Sequence, residues 1–297
     1  MSKINIVMDA SQLDTFRSCE AKYNYRYNLN KSLPTKARQL DRGTLVHVGA
    51  ETYYECIKNK KDYNESVTKA LSKIREAGAT DSDLEVEEIS RIVDVMEEYF
   101  DYWKVADQNL RIKAVEQPFI YLLHEDDEVK IYMAGKIDLL YDDDKYEGLP
   151  LDHKSIERDS EVYRMSNQFK NYCYATKSNY LVVNRIGFQK TLKPAEKYKR
   201  IPVSYDHLML EEWKQNVIKV ISNHYLECSA NNAWPMNETS CTKYGRKCEY
   251  YEVCDSSGIE SKNFKLNNNF ITIEPWDVSK VLRKSSEIVK DNNDDTK

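Results

Sequence analysis

The apolar residues of this chain change period part-way along it. Up to about residue 105 they recur every three or four positions. Leu13, Phe16, Cys19, Tyr23 and Tyr27 do so in "SQLDTFRSCEAKYNYRY", and "GTLVHVGAETYYECI" follows from about Gly43. Tyr63, Val67, Leu71 and Ile74 come next, and then Ile89, Ile92, Val93, Met96, Phe100 and Trp103, the clearest set. That spacing predicts amphipathic helices, with Ser11 as the N-cap of the first. In "EVKIYMAGKIDLLYDDD" alternation takes over: Val129, Ile131, Met133, Ile137 and Leu139 share one parity, the mark of a strand. "IKAVEQPFIYLL" reads as its hairpin partner and "LPLDHKS" as a short third strand. A helix over about 161–177, strands at "NYLVVNRIGF" and "YKRIPVSY", and a long helix over about 207–227 complete the pattern. This order predicts an α/β fold, a mixed central β-sheet flanked by helices with a helical N-terminal region.

The expected organisation is a single domain over 1–263, with a helical insertion at about 58–105. A polar extension, 264–297, is expected to be partly disordered. Eight glycines, none of them in a Walker-type or dinucleotide-type fingerprint, exclude those nucleotide-binding readings. No run approaches the ~18 apolar residues of a membrane span, and "MSKINIVMDA" has no apolar leader, so a soluble cytoplasmic protein is expected. The net charge of −5 hides a segment, Arg17 to Lys61, with ten basic residues against four acidic ones. A second basic stretch holds Lys190, Lys193, Lys197, Lys199 and Arg200. Local positive potential of this kind permits phosphate binding, though solvated helix faces explain it equally well.

Asp152 and Lys154 stand two apart in "LDHKS". On a strand they face one way, about 7 Å apart, while Leu151 and His153 face the other. Asp138, in "GKIDLL", has the parity opposite to Ile137 and Leu139, so it leaves their apolar face. If the two strands are neighbours, two carboxylates and an ammonium converge. Magnesium is held by such hard oxygen ligands, and a lysine beside it can stabilise charge on a reacting phosphodiester. Alone, an aspartate and a lysine at this spacing are usually a surface salt bridge.

Together, "GKIDLL" and "LDHKS" resemble the PD-(D/E)xK nuclease superfamily, and in particular its RecB-like exonuclease branch. "SQLDTFRSCEAKYNYRY" resembles the S-x-L-x-x-F-x-x-C helix of that branch, "GTLVH" its G-x-x-x-H element, and "NQFKNYCYA" its Q-x-x-x-Y helix. The resemblance implies a restriction-endonuclease-like core. It makes Asp138 and Asp152 metal ligands, Lys154 the catalytic lysine and His47 a further ligand. Glu116, in "VEQPF", matches an upstream acidic position, and Gln168 with Tyr172 would line the site. His153 stands where the branch usually has an apolar or aromatic residue.

Seven cysteines, three of them in "CTKYGRKCEYYEVC", suit metal ligation in a reducing compartment better than disulfides. One early cysteine, Cys19, with Cys241, Cys248 and Cys254 resembles the cluster-bearing members of the branch, including the CRISPR-associated exonucleases. In those, four thiolates hold a 4Fe-4S cluster. The Cys248–Cys254 spacing matches theirs; the Cys241–Cys248 spacing is longer. The cluster segment 241–254 would then close onto Cys19. Structural zinc satisfies four thiolates as well. Cys56, Cys173 and Cys228 read as small apolar residues.

The implied activity is a Mg²⁺- or Mn²⁺-dependent DNA exonuclease, phage-type or CRISPR-associated in its size. Its substrate is expected to be single-stranded ends, in recombination, repair, replication or end processing. The alternatives are a non-catalytic DNA-binding or assembly subunit that kept the fold and cluster, and a plain zinc-binding structural module. The residues fix neither polarity nor oligomeric state.

Overall fold

The computed structural model describes residues 3–35, 38–157 and 163–277. Strand β1 (Ile4–Asp9) leads into helices α1 (Ala10–Ser18) and α2 (Glu20–Tyr23), a π turn (Asn24–Asn28) and strand β2 (Lys31–Ser32). Three long helices follow, α3 (Arg38–Lys58), α4 (Tyr63–Asp81) and α5 (Val86–Gln108). Next come β3 (Arg111–Glu125), β4 (Val129–Asp142) and β5 (Leu149–Ile156), then α6 (Asn167–Thr176) and β6 (Tyr180–Gly187). The chain continues through α7 (Pro194–Lys197), β7 (Tyr198–Ser204), α8 (His207–Lys219), a second π turn (Val220–Tyr225) and α9 (Leu226–Asn231). It closes with α10 (Tyr251–Cys254), α11 (Gly258–Asn269) and β8 (Ile271–Thr272).

The chain forms two compact units, each assembled from separate stretches of sequence. One comprises Met1–Thr35, Ile120–Gly135 and Glu211–Lys297; the other comprises Lys36–Phe119 and Lys136–Leu210. Strand β4 contributes to both.

In the first unit β1 runs parallel to the start of β4, from Ile4↔Val129 to Asp9↔Ala134. This strand escapes the sequence reading because Ile4, Ile6 and Met8 form a brief alternation whose partner lies far along the chain. The first helix is capped by Asp9 rather than Ser11. The Asp9 carboxylate accepts the Gln12 amide at 2.8 Å, and the Gln12 side chain accepts the Asp9 amide at 3.2 Å. The helical run then breaks at Cys19, whose extended backbone (φ −170°, ψ 118°) separates α1 from α2. Phe16 still meets Tyr23 edge-on, with ring centroids 5.5 Å apart. The expected boundary at 263/264 falls inside α11, because Leu266 and Phe270 are buried against Tyr250 and Val253. Beyond it β8 pairs with β2. Residues 278–297, the rest of the expected extension, lie outside the described residues.

The second unit holds the main core. Helices α3, α4 and α5 bury Tyr53, Tyr54, Ile74, Ile92, Met96 and Phe100 together with Leu139, Leu151 and Ile186 from the strands. Residues 58–105, read from sequence as an insertion, thus contribute α4 and α5 to this core. The strand order here is β4-β5-β6-β7, and β3 pairs with β4. Pairing is antiparallel between β4 and β5, parallel between β5 and β6, and antiparallel between β6 and β7. This is the mixed sheet expected, flanked by helices. The helix expected over 161–177 begins at Asn167, where the Ser166 hydroxyl accepts the Phe169 amide; residues 158–162 lie outside the described residues.

Candidate active site

Strands β4 and β5 are paired through Leu139↔Leu151, Leu140↔Pro150 and Tyr141↔Leu149. One step further along, the register sets Asp138 across from Asp152. There the ladder gives way to a side chain: the His153 amide donates to Asp138 Oδ2 at 2.7 Å. Both carboxylates are buried, Asp152 completely. Asp152 Oδ2 pairs with Lys154 Nζ at 2.8 Å, and Asp152 Oδ1 has no hydrogen-bond partner. Burial raises the pKa of both aspartates. The negative charges of Asp152 and Glu116 raise that of Asp138 further, against the His153 amide and Lys154. Two carboxylates are therefore packed in one dry place with too little positive charge, the condition a bound cation relieves.

Two other elements reach the same spot. His47, on α3, puts Nδ1 3.4 Å from Asp138 Oδ2. Surrounding protein pushes this imidazole down to about 4, chiefly by burial, although about a third of the side chain (36 %) meets solvent. At neutral pH it is uncharged and has a lone pair free to coordinate. Glu116, on β3, has a backbone in the left-handed region (φ 51°) within an otherwise extended strand. Ligand atoms of His47, Glu116 and Asp138 all lie within 4.8 Å of one another. Oxygens with one imidazole nitrogen suit Mg²⁺ or Mn²⁺.

Helix α6 closes the other side. Lys154 Nζ donates to Gln168 Oε1 at 3.0 Å, and Gln168 Nε2 donates to the Tyr172 hydroxyl at 2.8 Å. Tyr172 in turn donates to the Lys136 carbonyl at 2.6 Å. The spacing of four puts Gln168 and Tyr172 on one helix face, so each orients the next and Lys154 is aimed at Asp152. Burial raises the Tyr172 pKa, with Asp152 and Asp138 adding to it, so its hydroxyl remains a donor.

Sequence reasoning passed over two features. Lys136, two residues before Asp138 and on its parity, pairs with Glu116. The signal was present in "GKIDLL", but a lysine there looks like any exposed strand residue. The second is a buried polar chain behind His153. Its ring stacks on Tyr54 (5.3 Å, 17°), and its Nδ1 meets Asn184 Nδ2 at 2.7 Å. Asn184 also donates to the Tyr99 hydroxyl, which is 2.5 Å from that of Tyr54. Tyr54 donates to Asp107 Oδ2 at 3.1 Å, and Arg200 pairs with Asp107. Nothing in single-sequence periodicity links these positions.

In the first unit Cys19, Cys241, Cys248 and Cys254 line one cavity of about 260 Å³. The Asn237 amide donates to Cys19 Sγ at 3.5 Å, and the Cys248 amide to the Cys241 carbonyl at 2.7 Å. The Cys254 thiol is pushed up to about 11, first by burial and then by the other three cysteines. Four soft donors facing a common space fit a thiolate-held metal group. Cys56, Cys173 and Cys228 are buried, as expected.

Against known families, the profile of the PD-(D/E)XK nuclease superfamily matches residues 8–255. This chain belongs to that superfamily. Membership accounts for the mixed sheet flanked by helices as a restriction-endonuclease-like fold and brings metal binding with it, and the His47, Glu116 and Asp138 group could hold such an ion. PD-(D/E)XK nucleases are hydrolases that generally use divalent ions such as Mg²⁺ or Mn²⁺. No curated protein matches the sequence. Among solved structures, the "Crystal structure of SSO0001" is similar over 55% of this chain and 79% of that one. Its identity is 11% and its TM-score 0.29, too slight a likeness to add to the fold described. Among the described residues, no helix is long and apolar enough to cross a membrane.

Proposed function

We propose that this PD-(D/E)XK nuclease is a Mg²⁺- or Mn²⁺-dependent DNA exonuclease of the RecB-like type, acting on single-stranded ends. The convergence of His47, Glu116 and Asp138 beside the buried Asp152–Lys154 pair supports this reading most directly. Asp138, Asp152, Glu116 and His47 would hold the ion. A bound divalent cation supplies Lewis-acid neutralisation of phosphate charge and eases deprotonation of water. Lys154, held by Gln168, directs its ammonium at the reacting phosphodiester, and Tyr172 keeps Gln168 in place. A non-catalytic subunit retaining the fold would be free to lose these groups, whereas every expected position is filled here.

Single-stranded DNA suits one feature of the sequence and one of the surface. The segment Arg17–Lys61 carries excess positive charge for a phosphate backbone. Tyr146 and Tyr180, both exposed, pair with ring centroids 4.8 Å apart and offer a stacking surface for bases. Cys19, Cys241, Cys248 and Cys254 would carry a 4Fe-4S cluster that ties the C-terminal segment to the N-terminal helix. Structural zinc held by the same four thiolates is the alternative. Recombination, repair, replication or end processing are the settings for such an activity, in a cytoplasmic phage-type or CRISPR-associated enzyme.

The test is an anaerobic preparation assayed with Mg²⁺ or Mn²⁺ on end-labelled single- and double-stranded DNA. Wild type should shorten the single strand from its ends, and Asp152→Ala should not. Equal cleavage by both proteins would refute the site. Iron and sulfide analysis of the same preparation decides the cluster, and a folded protein containing zinc but no iron would overturn it.

A further inference from the structure

We propose that Lys136 stands in for the metal in the metal-free protein, its ammonium holding the Glu116 carboxylate. On metal entry it transfers to the phosphate backbone of the substrate. This rests on the nuclease reading above and adds a substrate contact to it.

Four observations converge on this lysine. First, its Nζ is in direct contact with Glu116 Oε2, and Glu116 is one of the three groups clustered for a cation. A divalent ion at Glu116 repels the ammonium beside it, and more strongly as water is excluded. Binding of one therefore weakens the hold of the other.

Second, the other lysine of the site is already committed. Lys154 lies 2.8 Å from Asp152 and donates to Gln168 at 3.0 Å. The charge holding Glu116 is thus that of Lys136. Third, Lys136 combines a fixed root with a free end. Its carbonyl is gripped by the Tyr172 hydroxyl at 2.6 Å, while its side chain is 51% exposed against 13% for Glu116. Displacement needs only rotation of the side chain, with no movement of β4.

Fourth, the geometry puts the released ammonium beside the reaction. Lys136 and Asp138 are two apart on one strand, so their side chains leave the same face about 7 Å apart, close to the spacing of successive phosphates on a nucleic-acid strand. Lys154 approaches Asp138 from β5 and Lys136 from along β4. With a cation between them, one ammonium meets the scissile phosphate and the other a neighbouring one. Glu51, whose negative charge also acts on Lys136, would attract the displaced ammonium until nucleic acid binds.

The experiment measures Mn²⁺ binding by calorimetry on the full chain without DNA, then cleavage of a single-stranded oligonucleotide at saturating Mn²⁺. Lys136→Met should bind Mn²⁺ about three- to tenfold tighter than wild type, since a partly exposed competitor has been removed. The same variant should show a raised KM with a smaller change in kcat. Its log KM against log salt should lose about 0.7 in slope, the share of one phosphate contact on a single strand. Lys136→Arg should keep both the wild-type Mn²⁺ affinity and the salt slope. Unchanged or weaker Mn²⁺ binding by Lys136→Met, or an unchanged salt slope, overturns the proposal. Lys136→Gln serves in its place should the methionine variant fail to fold. A wild-type protein that binds no Mn²⁺, or binds it equally well as Asp138→Asn, overturns the metal-site reading itself. The two failures are therefore distinguishable.

Discussion

Tyr53 and Tyr99 are both completely buried, yet their hydroxyls have opposite circumstances. Tyr99 OH accepts from Asn184 Nδ2 and contacts Tyr54 OH, both at 2.5 Å. Tyr53 OH has no hydrogen-bond partner, and its ring stacks on Phe100 with centroids 4.2 Å apart. Tyr99→Phe removes a link from the chain running His153, Asn184, Tyr99, Tyr54, Asp107. It leaves one Asn184 N–H without its acceptor and Tyr54 with one contact fewer. An abandoned buried polar group costs about 1–3 kcal/mol, so about 2 kcal/mol is expected here. At roughly 2–4 °C per kcal/mol for a protein of this size, the melting temperature should fall by about 4–8 °C. Tyr53→Phe deletes a hydroxyl that is buried without compensation. It should change stability by less than ~0.5 kcal/mol or raise it. Both residues lie in the same compact unit, so one unfolding transition followed by far-UV circular dichroism reports both. Equal losses, or a larger loss for Tyr53→Phe, would refute the hydrogen-bond assignment and the reasoning from it.

Gly49 lies mid-helix in α3, where added helix propensity alone would make Gly49→Ala stabilising by about 1 kcal/mol. A Cβ there would sit 2.5 Å from Ile74 Cδ1 and 2.9 Å from Ile74 Cγ1, so the substitution should instead destabilise by about 1–3 kcal/mol in urea titration. Asp126 accepts the Glu128 and Val129 amides at 2.9 and 2.8 Å in the β3–β4 turn, and these bonds hold its carboxyl at about 2. A folded value below the ordinary 3.8 means its stabilisation is present above that pH and fades as pH falls towards 2. The melting-temperature gap between wild type and Asp126→Ala should accordingly narrow across that interval, and a constant gap would count against the turn assignment.

The helices and strands β4 and β5 were legible because each carries a local period: Ile92, Met96 and Phe100 repeat on a helix face, and Ile137 and Leu139 alternate around Asp138. The residues of the site were legible for a different reason. Strand parity turned Asp138, Asp152 and Lys154 towards a common side, and the adjacency of β4 and β5 brought them together. What escaped depends on distant partners. Asp9 displaced Ser11 as the cap because β1 delivers it to the helix start, and β1 is a strand only by virtue of β4. Lys136 gains its significance from Glu116, which the left-handed backbone turn at that residue re-aims. Asn184 and Tyr99 are unremarkable letters until the fold places them behind His153.

The way the first unit is pieced together carries a consequence for its making. Its three stretches of sequence are separated by the two stretches of the second unit, so it is complete only once nearly the whole chain has been made. On the ribosome, Cys19 emerges well before Cys241, and at about 5–20 residues per second the intervening ~220 residues take roughly 10–40 s. Throughout that interval Cys19 and the Phe16–Tyr23 aromatic pair wait without the segment that completes their surroundings. Assembly of the cysteine cavity is therefore a late event in the life of the chain. Any metal group it receives arrives after the strands of the nuclease core have already been synthesised.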